Sequence, residues 1–318
     1  MVVFYDLGAE GGIPKKWKSK EFRELFPEIE IVAFDLDEKK VPLDTKHHSL
    51  KLIDKIISDS DEIRDFYIPI RDSGSSLFPF NDKYFYLHND NYHPLQKIVS
   101  VETTSLKNLI ESEKIYPADI IKMDIQGAEL SALKGLEKYI ENVSVIEIEV
   151  EFLQIYEGQP TFNEIHEYLM SVGFHLQDLH LSKSFLTNGK IENYYQKKVN
   201  PRNVNTNWTP QVYAGDALYV KSLESVLMLS LDDQIRHIKC LCAYNCFDRA
   251  LMIIDSSQFC EKLKDSEIYD ILLKQAKIGY RASAVFNFFS RVMRKVGINA
   301  PLAVDRKFPW IQRSYPNL

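Results

Sequence analysis

Acidic residues at the ends of short apolar runs are the part of this sequence best suited to chemistry: Asp6, Asp35, Asp59, Asp124, Glu149 and Glu151. Asp124 follows the apolar run Ile120, Ile121, Met123. Gly127 then lets the backbone turn into a helical pattern that carries Leu130, Leu133 and Leu136 and stops near Gly135. In an open parallel sheet, ligands bind beyond the carboxyl ends of the strands. Asp124 therefore stands at a mouth, unless it only caps the following helix by accepting a backbone N–H. Val143 to Phe152 alternates Ile146, Ile148 and Val150 with Glu147, Glu149 and Glu151. On a strand near the middle of a sheet both faces are buried, so Glu149 and Glu151 are expected at the same mouth. Carboxylates there can accept from ligand hydroxyls or take a proton as general base. The bland alternative leaves all three glutamates facing solvent.

The elements that must position these acids read as an α/β half. Val2 to Asp6 is a short strand that runs into L-G-A-E-G-G, with Gly8, Gly11 and Gly12 in the turn. Glycines allow the backbone to approach a ligand, and a following helix N-terminus attracts polar or anionic groups. The spacing is not the dinucleotide fingerprint G-x-G-x-x-G, which argues against NAD. A helix from about Ser19 to Phe26 leads to the strand Ile29–Phe34, which ends at Asp35, placed to accept from two ribose hydroxyls. Leu52 to Ile57 reads as a third strand, and Asp59 beyond it can meet an adenine amino group or serve as a plain turn acid. Phe66 to Ile70 is a further strand. The segment Ser73 to Ser76 is either a connection or a lid.

Charge and composition narrow the function classes. The chain has 318 residues and a formal net charge of −6, which argues against an extensive nucleic-acid surface. No apolar run reaches the roughly 18 residues needed to span a bilayer, and no signal pattern opens the chain, so a cytoplasmic protein is expected. The cysteines, Cys240, Cys242, Cys246 and Cys260, all fall in the last third, and disulfides are not expected in that compartment.

The stretches Y-D-L-G-A-E-G-G, A-F-D-L-D, D-S-G-S-S-L, K-M-D-I-Q-G-A-E-L-S-A-L-K-G and E-V-E-F-L-Q-I-Y-E-G-Q-P resemble the FkbM-type group of S-adenosylmethionine-dependent methyltransferases. The resemblance covers about residues 2 to 222 and is most specific from Lys122 to Gly135. It implies an α/β fold with a seven-stranded class I methyltransferase (Rossmann-like) sheet, S-adenosyl-L-methionine as cofactor, and O-methylation, often of sugar hydroxyls. By that similarity Asp6, Gly8, Glu10 and Gly12 shape the methionine pocket, Asp35 holds the ribose and Asp59 the adenine, with Ser76 and Asp124 also on the donor side. The family more often has Glu-Pro where this chain has Asp35-Leu36, so the shorter acid must stand closer to its ligand.

Phe174 to Leu181 and Ala217 to Val220 read as the two final, antiparallel strands. The long excursion between them carries Tyr194, Arg202 and Trp208, aromatic and cationic groups suited to stacking on a sugar and pairing with an anion. Their rival role is a solvated loop anchored by one tryptophan. From residue 223 the pattern becomes helical: Asp232 to Asp255, Glu261 to Ile278, and Ala282 to Val296. This divides the chain into a methyltransferase domain, 1–222, and an α-helical appendage, 223–318. Within the first helix His237, Cys240, Cys242 and Cys246 invite a zinc reading, but i and i+2 point apart on a helix, and core packing is the expectation. No metal is predicted. The appendage offers surface for orienting a large acceptor, for homo-oligomerisation or for peripheral contact with an anionic membrane.

The function expected is therefore transfer of a methyl group to a hydroxyl of a saccharide or glycosylated product, with Asp124, Glu149 and Glu151 as candidate bases. Two rivals stand beside it: methylation of a lipid, peptide or small metabolite, and a non-catalytic nucleoside-binding module with a partner-binding helical tail.

Overall fold

The computed structural model describes residues 1–9, 26–35, 49–70, 74–87, 94–112, 114–184 and 211–274. Its strands are β1 (Val2–Leu7), β2 (Ile29–Phe34), β3 (Ser49–Ile53), β4 (Ile56–Ser58), β5 (Ile63–Pro69), β6 (Leu95–Ser105), β7 (Ile120–Met123), β8 (Val145–Glu151), β9 (Phe174–Ser184) and β10 (Gln211–Lys221). Seven of them form one sheet in the order β3-β2-β1-β7-β8-β10-β9, and β4-β6-β5 form a second, smaller one. β3, β2, β1, β7 and β8 run parallel, and β10 is antiparallel to both β8 and β9. The class I methyltransferase arrangement expected of the sheet is the one observed.

Helices cover both faces because both are apolar. On one face Val3, Tyr5, Leu7, Ile121, Met123, Ile146 and Ile148 pack under α1 (Leu106–Glu111), α2 (Glu129–Lys134) and α3 (Phe162–Ser171). On the other, Val2, Phe4, Ile31, Ile120, Val145 and Val220 pack under α4 (Leu223–Leu227), α5 (Leu231–Ala243) and α6 (Phe247–Ser256), through Val226, Ile238, Leu241, Ala250 and Ile253. Each fully buried aliphatic side chain of this kind contributes about 1.5–3 kcal/mol. The helices after residue 222 thus supply one wall of the sheet's own core. Arg236 Nε on α5 lies 3.0 Å from Asp119 Oδ1, and Asp119 also accepts from the Val3 N–H at 2.9 Å, which ties that wall to the strand edge.

Several expected boundaries move. The expected strand Leu52 to Ile57 is two strands, since the chain leaves the main sheet at Asp54-Lys55 and β4 joins β6 instead. β6 was not foreseen; with β5 it makes an antiparallel hairpin whose residues Ile63, Leu95 and Ile98 are exposed, so it lacks a one-sided apolar alternation. The expected helix Asp232 to Asp255 is broken into α5 and α6 at Asn245, whose φ of 58° ends the first helix, a left-handed stop that asparagine tolerates better than most residues. Likewise Glu261 to Ile278 is interrupted at Asp265-Ser266, after α7 (Cys260–Lys264). The expected helices Ser19–Phe26 and Ala282–Val296 lie outside the described residues, apart from Phe26. No described helix is long and apolar enough to cross a membrane.

Candidate active site

Strand register assembles the site. Phe4, Ile120 and Val145 are neighbours across β1, β7 and β8, and all three belong to the core under α5 and α6. Two residues further along the same face the row becomes Asp6, Lys122 and Glu147. The next row holds Asp124, which follows the Met123–Ile148 pair, then Glu149, whose partner on β10 is Asp216. Glu151 comes one step beyond, opposite Ala214. One face of the sheet therefore changes from apolar to ionisable along a single transverse line, at the carboxyl end of β1, β7 and β8.

Buried charge of this kind must be paired or protonated. Lys122 Nζ lies 3.3 Å from Asp6 Oδ1, with side chains 13% and 5% exposed. Burial pulls the Lys122 ammonium down, but Asp6, Asp124 and Glu147 outweigh it and hold it charged, above its usual range. Burial raises Asp6 against the opposing pull of Lys122. Burial also lifts Glu149 well above the usual carboxylate range, helped by Asp124 and Glu151 and by a hydrogen bond with Asp124. Glu151 is lifted in the same way, by burial and then by Glu129 and Asp124. Asp216 is pushed to about 7 by burial and by Glu147 and Asp124, against the pull of Lys122.

The turn after β7 orders this row. Gln126 (φ 55°) and Gly127 (φ 100°) are consecutive left-handed residues that reverse the chain into α2. The Glu129 carboxylate closes the turn by accepting from the N–H groups of Ile125 and Gly127, both at 2.9 Å. The N-cap of α2 is Ala128, without a side-chain cap, so Asp124 is not the capping acid that the sequence allowed. Burial, offset by these backbone donors, leaves Glu129 at about 7. The Gln126 side-chain nitrogen donates to Asp124 Oδ1 at 2.8 Å and to Glu149 Oε2 at 2.9 Å. Its oxygen accepts from the Tyr156 hydroxyl at 2.7 Å. Ser76 Oγ donates to the Gln126 carbonyl at 2.6 Å and accepts from Phe78 N–H at 2.9 Å. Glu151 Oε2 and Gln159 Nε2 are both buried without an aligned hydrogen-bond partner, although Gln159 stands close enough to favour ionised Glu151.

Gly8 meets Asp124 backbone to backbone at φ 80°, next to Asp35 at the end of β2. Asp6, Gly8, Asp35, Asp124, Glu149 and Glu151 are thus gathered at one end of the sheet. Ser76 belongs to the same region, and its hydroxyl bonds the Gln126 carbonyl and the Phe78 N–H. Asp59 is not brought into this group: it follows β4 in the smaller sheet, is hydrogen-bonded by the Ser58 and Ser60 hydroxyls, and packs beside Gly135 at the far end of α2. Glu10, Gly12, Tyr194, Arg202 and Trp208 lie outside the described residues.

Lys122, Gln126, Glu129, Tyr156 and Asp216 were not singled out from the sequence. The signal for Lys122 is a lone charge inside an apolar strand, and for Asp216 an acid flanked by Gly215 and Ala217. Tyr156 packs on Phe80 and also hydrogen-bonds Gln126. His166 is a packing residue, 3.0 Å from the Tyr219 hydroxyl and stacked on Phe162. His237, Cys240 and Cys242 are core residues of α5, and Cys246 is the N-cap of α6 rather than part of one continuous helix. Among the described residues no group of His, Cys, Asp or Glu is arranged to hold a metal ion.

Residues 13–176 match the methyltransferase FkbM domain. A crystal structure of methyltransferase FkbM from Methylobacillus flagellatus KT is similar over 69% of this chain and 43% of that one, at 14% sequence identity and a TM-score of 0.30. The chain therefore spans less than half the length of that relative. No curated protein matches it significantly.

Proposed function

Because this chain belongs to the methyltransferase FkbM domain family, we propose that it transfers the methyl group of S-adenosylmethionine to a hydroxyl of a saccharide or glycosylated product. The observation that carries the reading is the carboxyl row Asp124–Glu149, bridged by Gln126 at the carboxyl end of the central strands. The donor set suits a cationic nucleoside: Asp35 stands at the end of β2 for its hydroxyl groups, and the acids Asp6 and Asp124 lie at the same strand ends for its sulfonium and ammonium. When bound, that group supplies an activated methyl on sulfur. The protein's own work is to hold an acceptor oxygen in line with that carbon and to remove the hydroxyl proton as the new bond forms. Asp124, hydrogen-bonded through Gln126 to Glu149, is the leading base, with Glu149 and Glu151 behind it. A nucleoside-binding scaffold has no use for so many buried, mutually repelling carboxyls, and strongly shifted groups in a cleft mark functional sites.

Titration calorimetry with S-adenosylmethionine and S-adenosylhomocysteine tests the donor half. Both are expected to bind, and Asp35→Ala to abolish binding. Failure of the wild-type protein to bind either at millimolar ligand would overturn the reading. A panel of saccharide, lipid, peptide and small-metabolite acceptors then tests the acceptor class, a saccharide hydroxyl being the expected product site.

A further inference from the structure

We propose that Gln126 is a positioning residue that keeps Asp124 and Glu149 as a pair sharing one proton, so that one ionised carboxyl oxygen serves the acceptor while the other carboxyl stays protonated. Its catalytic meaning rests on the methyl-transfer reading; the proton count does not.

The geometry fixes the amide in one orientation. The one proton of the Tyr156 hydroxyl goes to the nearer of its two acceptors, Gln126 Oε1 at 2.7 Å rather than the Gly74 carbonyl at 3.2 Å. With its oxygen facing the phenol, the amide points its two N–H groups the other way, one to Asp124 and one to Glu149. The backbone of Gln126 cannot drift, because Ser76 holds its carbonyl and Glu129 clamps the N–H groups on either side. The two carboxyls so gathered are also close enough to hydrogen-bond each other. Two ionised carboxylates in such contact repel, and neither has a proton to offer. With one proton between them the contact becomes a charge-assisted O–H···O⁻ bond. Gln126 stabilises that state against uptake of a second proton because its N–H groups favour the ionised partner, whichever it is, and because an amide stays neutral at every pH. Burial works in the same direction, keeping Glu149 protonated far above the usual carboxylate range.

In the reaction the acceptor O–H bond breaks as its oxygen bonds to the methyl carbon. The carbon–sulfur bond breaks with its electron pair left on sulfur, giving a thioether. The released proton goes to the ionised oxygen of the pair and then to water, so the resident proton is unchanged after each turnover.

Infrared difference spectroscopy of the full-length protein, titrated in H2O and D2O, reads the pair directly. Wild type is expected to show a carboxylic-acid C=O band at pH 7 that is missing from Glu149→Gln. In Gln126→Leu the N–H donors are lost, so the pair takes a second proton more readily, and the midpoint at which a second carboxylic-acid band appears on acidification is expected to rise by about one pH unit or more. A missing band in the wild type, or an unmoved midpoint in Gln126→Leu, overturns the proposal. Should Gln126→Leu fail to fold, Tyr156→Phe decides: freeing the amide to flip must move the midpoint the same way, and an unmoved midpoint is again fatal. Binding of S-adenosylhomocysteine is measured on the same samples. The expected titration without binding would sink the methyl-transfer reading and leave the proton pair standing; binding with an unmoved midpoint would do the reverse.

Discussion

Gly8 and Asp124 approach so closely that a Cβ on Gly8 would stand 1.9 Å from the Asp124 carbonyl oxygen. The contact joins the end of β1 to the turn that carries the candidate base, and the Asp124 N–H donates to the Leu7 carbonyl beside it at 3.0 Å. Gly8→Ala must therefore push the two turns apart at a position whose φ of 80° also disfavours alanine. Crowding alone costs about 1–3 kcal/mol. A lowered melting temperature with loss of S-adenosylhomocysteine binding is expected; thermal denaturation and calorimetry check it, and an unperturbed variant would mean that this contact is not what shapes the mouth.

Asp124→Asn preserves size and an oxygen for Gln126 while removing the carboxylate. Loss of a general base typically lowers turnover by about 10²–10⁴. The expected result is that loss with an unchanged circular-dichroism spectrum and melting temperature, measured with whichever acceptor the panel identifies. Turnover near the wild-type level would remove Asp124 from the role of base.

Stability should depend on pH from two sides. Asp216, raised to about 7 in the folded protein, holds a proton that the unfolded chain has already lost. Its contribution is full below the ordinary carboxylate pKa and is lost as pH rises through about 7. His237 is 1% exposed with both ring nitrogens unpartnered and its pKa lowered to about 3, chiefly by burial. It is neutral when folded, so stability is present above about 6.5 and falls as pH drops toward 3, where the unfolded chain takes the proton first. Chemical denaturation across pH should then show Asp216→Asn flattening the alkaline limb and His237→Leu moving the acid limb down. An acid limb unmoved in His237→Leu would place acid sensitivity elsewhere.

Ile253→Ala tests the wall built by the helices after residue 222. Ile253 is fully buried against the sheet face that includes Phe4 and Ile120. Such a truncation costs about 2–5 kcal/mol. A single, cooperative unfolding transition at lower denaturant is expected for the whole protein. Two separate transitions, with only the later helices affected, would show that they fold as a unit of their own.

What the sequence determined by itself is largely local. Apolar runs ending in acids marked β1, β2 and β7, glycines at 127 and 135 bounded the turn and helix after Asp124, and alternation in β8 put Glu149 and Glu151 on one face, because strand period and turn chemistry are written in neighbouring residues. Which rows those residues join was decided only by tertiary structure. Lys122 gains meaning when β1 and β8 place Asp6 and Glu147 on either side of it, and Asp59 falls beside the smaller sheet because β3 leaves the main sheet earlier than its apolar run does. Gln126 becomes the centre of the site through partners 2, 23 and 30 residues away. No sequence period encodes such contacts; they arise from register between strands that are distant in the chain, and from the burial that makes each unpaired carboxyl costly.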